Sequence, residues 1–244
     1  MASMIELLKD SKALLFSILS GVIPAIFWLW FWLKEEDGDD REPTILIAIS
    51  FILGALIVFI AILLEKYSLN FITNNTTQII VWAIIEELLK FLGVGIIIFG
   101  NRDIDQPIDY PMYFIATALG FAALENVLYL LNLFSLNGAI VGMITSNLRF
   151  LGSTLLHAIS SAMIGSAIGL SFYLKQYRII YILGGILCAV VLHSVFNFFI
   201  MERSGENFLS VFSFLWVITI INILIFEKLK RMGKNIPILN QKQL

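Results

Sequence analysis

The sequence predicts an all-α fold, a polytopic transmembrane helix bundle of about seven spans. Three observations predict it. Of 244 residues, 59% are hydrophobic and 14% charged, against about 45–50% and about 25% in soluble domains. Mean hydropathy is +0.91. The 16 Lys and Arg and 18 Asp and Glu residues are bunched, leaving apolar runs of the roughly 20 residues that cross about 30 Å of hydrocarbon. So few charges cannot cover a water-facing surface, which excludes an ordinary soluble enzyme. A net charge of −2 excludes the basic face of a nucleic-acid binder. Cys188 is the single cysteine and lies in an apolar run, so neither a disulfide framework nor a cysteine metal cluster is available.

The spans run over 13–33, 45–64, 79–99, 111–133, 150–174, 179–201 and 208–226. Lys9 and Lys12 precede the first, as in a signal sequence. Its apolar run continues through Trp28, Trp30, Phe31 and Trp32, too far for a cleaved segment, so it reads as a retained signal-anchor helix. The connections are polar or broken: 34–43 is a charged loop ending at Pro43, 100–111 holds Gly100, Pro107 and Pro111, and 202–207 is a short polar turn. Trp82, Tyr110, Tyr113, Tyr177 and Tyr181 sit near span ends, as interfacial aromatics do. The stretch 134–149 is apolar but too short to span. An interfacial helix, a re-entrant loop and a short crossing all fit it, with crossing disfavoured.

Lys and Arg in the loops orient the bundle. With seven spans, the N-terminal side collects Lys9, Lys12, Lys66, Arg149 and Arg203. The other side collects Lys34, Arg41, Arg102, Lys175, Arg178, Lys228, Lys230, Arg231, Lys234 and Lys242. The richer side is the cytoplasmic one, which puts the C-terminus inside and the N-terminus outside. The chain divides into an N-terminal part (1–78) with two spans, a four-helix core (79–201), and a last span with a polar tail (202–244).

Charge inside a bilayer costs about 2.5–3.5 kcal/mol per central Asp, Lys or Arg. Here it is concentrated in four consecutive spans. Span three holds Glu86, Glu87 and Lys90, span four Glu125, span five His157 and span six His193. Counted from the span ends at about 1.5 Å per residue, these groups fall in one layer about 10–12 Å from the N-terminal side. Glu86 and Lys90 are four apart and share a helix face, while Glu87 is turned about 100° away. His193 and Asn197 are likewise four apart. Gly120, Ala122 and Ala123 let a neighbouring helix approach closely, which would set Glu125 deep in a packed interface. Carboxylate with imidazole can move protons to and from water and an amine. Two His and a Glu are also a catalytic zinc set, with another Glu as base. The H-E-x-x-H, G-x-S-x-G and Walker patterns are absent from the sequence.

At these residues the sequence resembles the PrsW family of intramembrane proteases. The likeness lies in Glu86-Glu87-x-x-Lys90, Phe121-Ala122-x-x-Glu125-Asn126, His157 and His193-x-x-x-Asn197, in the family's order over about residues 80–200. The family is distantly similar to the CAAX prenyl endopeptidases, which carry an Arg-ended glutamate motif and a histidine where this chain has Glu125. The resemblance implies hydrolysis of a peptide bond in or beside the membrane, with or without zinc. It also implies a membrane-anchored substrate, for which anti-sigma factors are the family's example. On this reading Glu86 or Glu87 is the general base and Lys90 holds the other carboxylate. His157, His193 and Glu125 are the expected zinc ligands, and Asn197 donates to the oxyanion. A proton- or cation-coupled transporter and an inactive helix-binding scaffold are the competing classes. A transporter would more often show repeated halves, which the sequence lacks.

Overall fold

The computed structural model describes residues 11–34, 42–98, 101, 104–201 and 208–234, with backbone alone over 135–151 and at 201 and 208. Among them there are seven long helices and no strand. In chain order these are α1 (Ser11–Leu33), α2 (Thr44–Ser68), α3 (Asn75–Ile98), α4 (Asp109–Leu151), α5 (Ser153–Leu170), α6 (Arg178–Met201) and α7 (Phe208–Lys234), with a 3-10 turn at Lys175–Tyr177. Each coincides with an expected span. Most of the charged loop after Lys34, the 202–207 turn and the tail from 235 lie outside the described residues. Six helices are long and apolar enough to cross a membrane. The seventh, α3, is 24 residues long and carries Glu86, Glu87 and Lys90.

The helical state follows from the solvent. A lipid-exposed backbone has no water to bond, so each N–H and C=O must be satisfied within its own segment. Buried hydroxyls obey the same rule. Ser17 Oγ donates to the Ala13 carbonyl at 2.7 Å, Ser50 Oγ to Leu46 at 2.8 Å and Thr219 Oγ1 to Leu215 at 2.9 Å, each one turn back.

α4 and α5 form the centre. The apolar stretch of each is 78% buried, against 28–33% for α1, α2, α6 and α7, which face outward. α4 packs against α1, α2 and α5, and α5 also packs against α6. Lipid gives no hydrophobic drive between helices, so close backbone approach must hold them together. The parallel helices α2 and α4 show it. A Cβ at Gly54 would lie 1.9 Å from the Thr117 carbonyl oxygen, and one at Gly120 would lie 1.8 Å from that of Phe51. The expectation that Gly120 admits a neighbouring helix is therefore met, and the neighbour is α2.

The stretch 134–149 continues α4 as helical backbone to Leu151. It cannot be a straight extension. Asn126 Nδ2 donates to Thr154 Oγ1 at 2.9 Å, whereas a straight helix from 126 to 151 would carry the chain about 37 Å away. The backbone therefore turns back between these residues and delivers α5 beside α4, near the level it left. At the opposite end of α4, the Asp109 carboxylate accepts the backbone N–H groups of Asp105 and Gln106 at 3.0 and 2.7 Å. There the Tyr113 hydroxyl donates to Glu42.

A buried carboxylate and imidazole cluster

Four helices bring their ionisable groups together. α3 contributes Glu86, Glu87 and Lys90, all buried, and each of the others supplies one group: Glu125 (α4), His157 (α5) and His193 (α6). Local geometry explains the division of labour on α3. Lys90 can reach back to both carboxylates, but it stands 2.8 Å from Glu87 Oε1 and 3.6 Å from Glu86 Oε2. Glu87 is the one it holds. Glu87 also accepts from Ser160 Oγ at 3.0 Å and Ser161 Oγ at 3.4 Å, and its Oε1 lies 2.8 Å from His193 Nδ1. With 0% of its side chain exposed, Glu87 is fully occupied by partners. Burial of a charge is tolerable only on such terms.

The histidines are held from both sides. Lys90 Nζ lies 2.9 Å from His157 Nδ1, and His157 Nε2 lies 2.8 Å from Glu125 Oε2. An ammonium can only donate, so Nδ1 accepts and Nε2 carries the hydrogen bonded to Glu125. For His193, the Glu87 contact assigns the hydrogen to Nδ1 and leaves Nε2 facing Glu86 Oε2 at 3.8 Å. His157 Nδ1 faces the same oxygen at 3.7 Å. The rings meet edge to face, with centroids 5.1 Å apart. Phe121 closes one side, its ring 5.5 Å from that of His157 and 4.6 Å under the Lys90 ammonium.

Glu86 Oε2 is buried and makes no hydrogen bond. It faces one free imidazole lone pair and a second that Lys90 shares. Two acceptors opposed in a low-dielectric site need a proton or a cation between them. Glu86, His157 and His193 offer three ligand atoms within 4.8 Å of one another, so they are close enough to bind a metal ion. The donor set also fits one. Two nitrogens and a carboxylate oxygen suit zinc, and each ring's far nitrogen is held by a carboxylate, as metal-ligating histidines usually are.

Of the residues expected from sequence, Glu86, Glu87, Lys90, Glu125, His157 and His193 meet at one place. Glu125 stands on the far nitrogen of His157, outside the group of three. Asn197 is half-buried one turn beyond His193 and joins none of these contacts. One neighbour escaped the sequence reading. Glu65, half-buried near the end of α2, feels the charges of Glu86, Glu125, His193 and Lys90. It falls one residue beyond the span as read from hydropathy, and only the depth of that span end could have exposed it.

A buried carboxylate and imidazole centre sunk among membrane-spanning helices is what an intramembrane hydrolase requires. Within that class, the chain matches the PrsW family intramembrane metalloprotease over residues 42–225. It belongs to that family. The match reaches beyond the four motif-bearing spans to take in α2 and most of α7. The chain is similar to Protease PrsW of Geobacillus kaustophilus, 29% identical over 195 residues, which is 78% of this chain and 82% of that protein. It resembles Protease PrsW of Bacillus subtilis at 28% over 214 residues, covering 83% and 92%. For Protease PrsW of Clostridioides difficile the figures are 25% over 232 residues, 89% and 93%. No solved structure matches the chain. The protein is a multi-pass membrane protease of this family, and its substrate is a membrane protein.

Proposed function

We propose that the chain is an endopeptidase that cuts a membrane-anchored protein near the extracytoplasmic membrane boundary, an anti-sigma factor being the partner class the family suggests. The observation that carries the chemistry is the buried Glu86 Oε2, which makes no hydrogen bond and lies between two imidazoles. Peptide hydrolysis needs a group that takes a proton from water and returns one to the leaving amine. Glu87 is committed to Lys90, His193, Ser160 and Ser161, so Glu86 is the carboxylate free to act. Lys90 holds Glu87 in its charged form, and Glu125 fixes the tautomer of His157. Asn197, one turn past His193, is the proposed donor to the oxyanion.

Zinc fits the same place, with Glu86, His157 and His193 as its protein ligands. When bound, zinc supplies an acidified water and a polarised carbonyl. Glu125 and Glu87 would then orient the two rings. The set expected from sequence, with Glu125 as third ligand, is separable from this one by experiment. Cleavage of a single-span reporter and the zinc content of purified protein are measured for Glu86→Gln, Glu87→Gln, Glu125→Gln and each His→Ala. Glu86→Gln and both His→Ala variants are expected to lose cleavage and zinc together. Glu125→Gln is expected to keep most of the zinc. Cleavage at the native rate by Glu86→Gln would remove its role. Loss of zinc in Glu125→Gln with retention in Glu86→Gln would restore the first set. A wild-type protein that cleaves without metal would leave Glu86 as a general base acting with His193.

The richer Lys and Arg count on the loop 34–43 side supports a cytoplasmic C-terminus and an N-terminus outside. That orientation turns the mouth of the cluster outward.

A further inference from the structure

Two contacts fix the position of Glu65. Trp82 Nε1 donates to Ser68 Oγ at 3.2 Å, which sets position 68 of α2 level with 82 of its antiparallel neighbour α3. About one turn back along α2 and one turn on along α3, Glu65 and Glu86 stand at one height. Between the parallel helices α2 and α4, Ala61 and Phe121 pack in one apolar cluster. Four residues further on each helix, on the same faces, lie Glu65 and Glu125. Glu65 therefore stands over the cluster from the side of α2, within electrostatic reach of Glu86, Glu125, His193 and Lys90. Its carboxylate makes no hydrogen bond or ion pair among the described residues.

Exposure gives the cluster a direction. Glu87 and Lys90 have 0% of their side chains exposed, the two histidines 2–3% and Glu86 10%. Glu125 has 34%, and Glu65 is half-buried. These two carboxylates form the rim, and the Glu86 oxygen that makes no hydrogen bond lies beneath them. The cluster's only ammonium, Lys90, is spent below on Glu87 and His157. Three carboxyl groups are thus gathered on the more exposed side of the cluster, where a cation would be held at reduced dielectric.

We propose that Glu65 is a specificity-determining residue of the protease site, seating a Lys or Arg side chain of the substrate beside the cleaved bond. The inference rests on the protease reading and not on bound metal. It assigns to α2 a part in the site that the motifs on α3 to α6 do not carry.

The test uses full-length protein in detergent and single-span reporters that differ only in one residue flanking the cleaved bond, Lys, Gln or Glu. For the wild type, kcat/KM for the Lys reporter is expected to exceed that for Gln by about fivefold, the upper end for a partly exposed charge pair. In Glu65→Gln that ratio is expected to fall to about one, through KM and not kcat, and Glu65→Asp should restore part of it. Glu65→Lys should reverse the order in favour of the Glu reporter. Thermal unfolding of each variant checks that the fold is kept. A wild type indifferent to the flanking charge, or a preference that survives in Glu65→Gln, would overturn the proposal. Reporters that no preparation cleaves, Glu86→Gln and wild type alike, would overturn the protease reading itself.

Discussion

At the scale of residues, Glu87, Lys90 and both histidines are held by close hydrogen bonds, whereas Glu86 Oε2 makes none. Lys90 and Glu87 are the pair most deeply enclosed, and breaking a buried pair from one side costs about 3–5 kcal/mol because the other charge is stranded. Lys90→Met is therefore expected to destabilise the protein by about that much in equilibrium unfolding in mixed micelles. Adding Glu87→Gln should recover part of the loss, since the stranded charge goes with it. Equal losses in the single and double variants would show that Lys90 does not neutralise Glu87. Much of this was legible beforehand. Glu86-Glu87-x-x-Lys90 announces a lysine shared by two carboxylates, and hydropathy alone flags six ionisable groups where none is cheap. Which carboxylate the lysine takes was not legible. That depends on Ser160, Ser161 and His193 converging on Glu87 from other helices, and sequence spacing does not report side-chain direction between helices. That Glu86, and not Glu125, stands with the two histidines in the group close enough to bind a metal was hidden for the same reason.

At the scale of elements, the contact between α2 and α4 sets the geometry of the rim. The obstacles at Gly54 and Gly120 are backbone carbonyl oxygens, which cannot rotate aside as a side chain would. Overpacking typically costs about 1–3 kcal/mol, and Gly54→Val is expected at or above the top of that range. A thermal midpoint unchanged in detergent would show that the two helices separate freely. All seven spans were visible as apolar runs, and their limits differ from the observed helices by a few residues except at the C-terminal ends of α4 and α7, which run on to Leu151 and Lys234. Those few residues mattered. α5 begins at Ser153, so His157 is four residues into its helix, while Glu86 is eleven residues into α3. Counting from ends gave a common layer, but the register is set by lateral bonds such as Trp82 to Ser68 and Asn126 to Thr154. The return of α4 before α5 left no such signature, because helical propensity is silent about where a helical backbone doubles back.

At the scale of the whole molecule, two largely buried helices form the centre, the site is shared among α3, α4, α5 and α6, and the outer faces of α1, α2, α6 and α7 are turned to lipid. Exposed large apolar residues on α1, α2, α6 and α7, such as Ile23, Leu63, Ile179 and Leu209, are what a bilayer requires and need no soluble partner. Orientation is expected to follow the basic loops. In a Cys188→Ser background, single cysteines placed in 34–43 and in the tail should label only from the cytoplasmic face. A cysteine at Arg203 should label only from outside. The reverse pattern would place the rim of the cluster towards the cytoplasm and exclude cleavage at the outer boundary.

Lys90 has one more consequence. Its ammonium lies 2.9 Å from His157 Nδ1 and 3.6 Å from Glu86 Oε2, so it already supplies positive charge to atoms a zinc ion would bind. A metal held by Glu86, His157 and His193 would compete with this resident charge, where in a zinc finger it would rescue a chain that cannot fold alone. Assembly of the bundle is therefore expected not to depend on metal supply, whether or not a metal later takes part in cleavage. Ligand at a hundredfold excess over Kd adds about 2.7 kcal/mol to a fold that simply gains it. Here stripping with a chelator is expected to abolish any zinc-dependent cleavage while the unfolding free energy falls by clearly less than that. A loss of helical circular dichroism on chelation would show that the lysine does not hold the cluster together by itself.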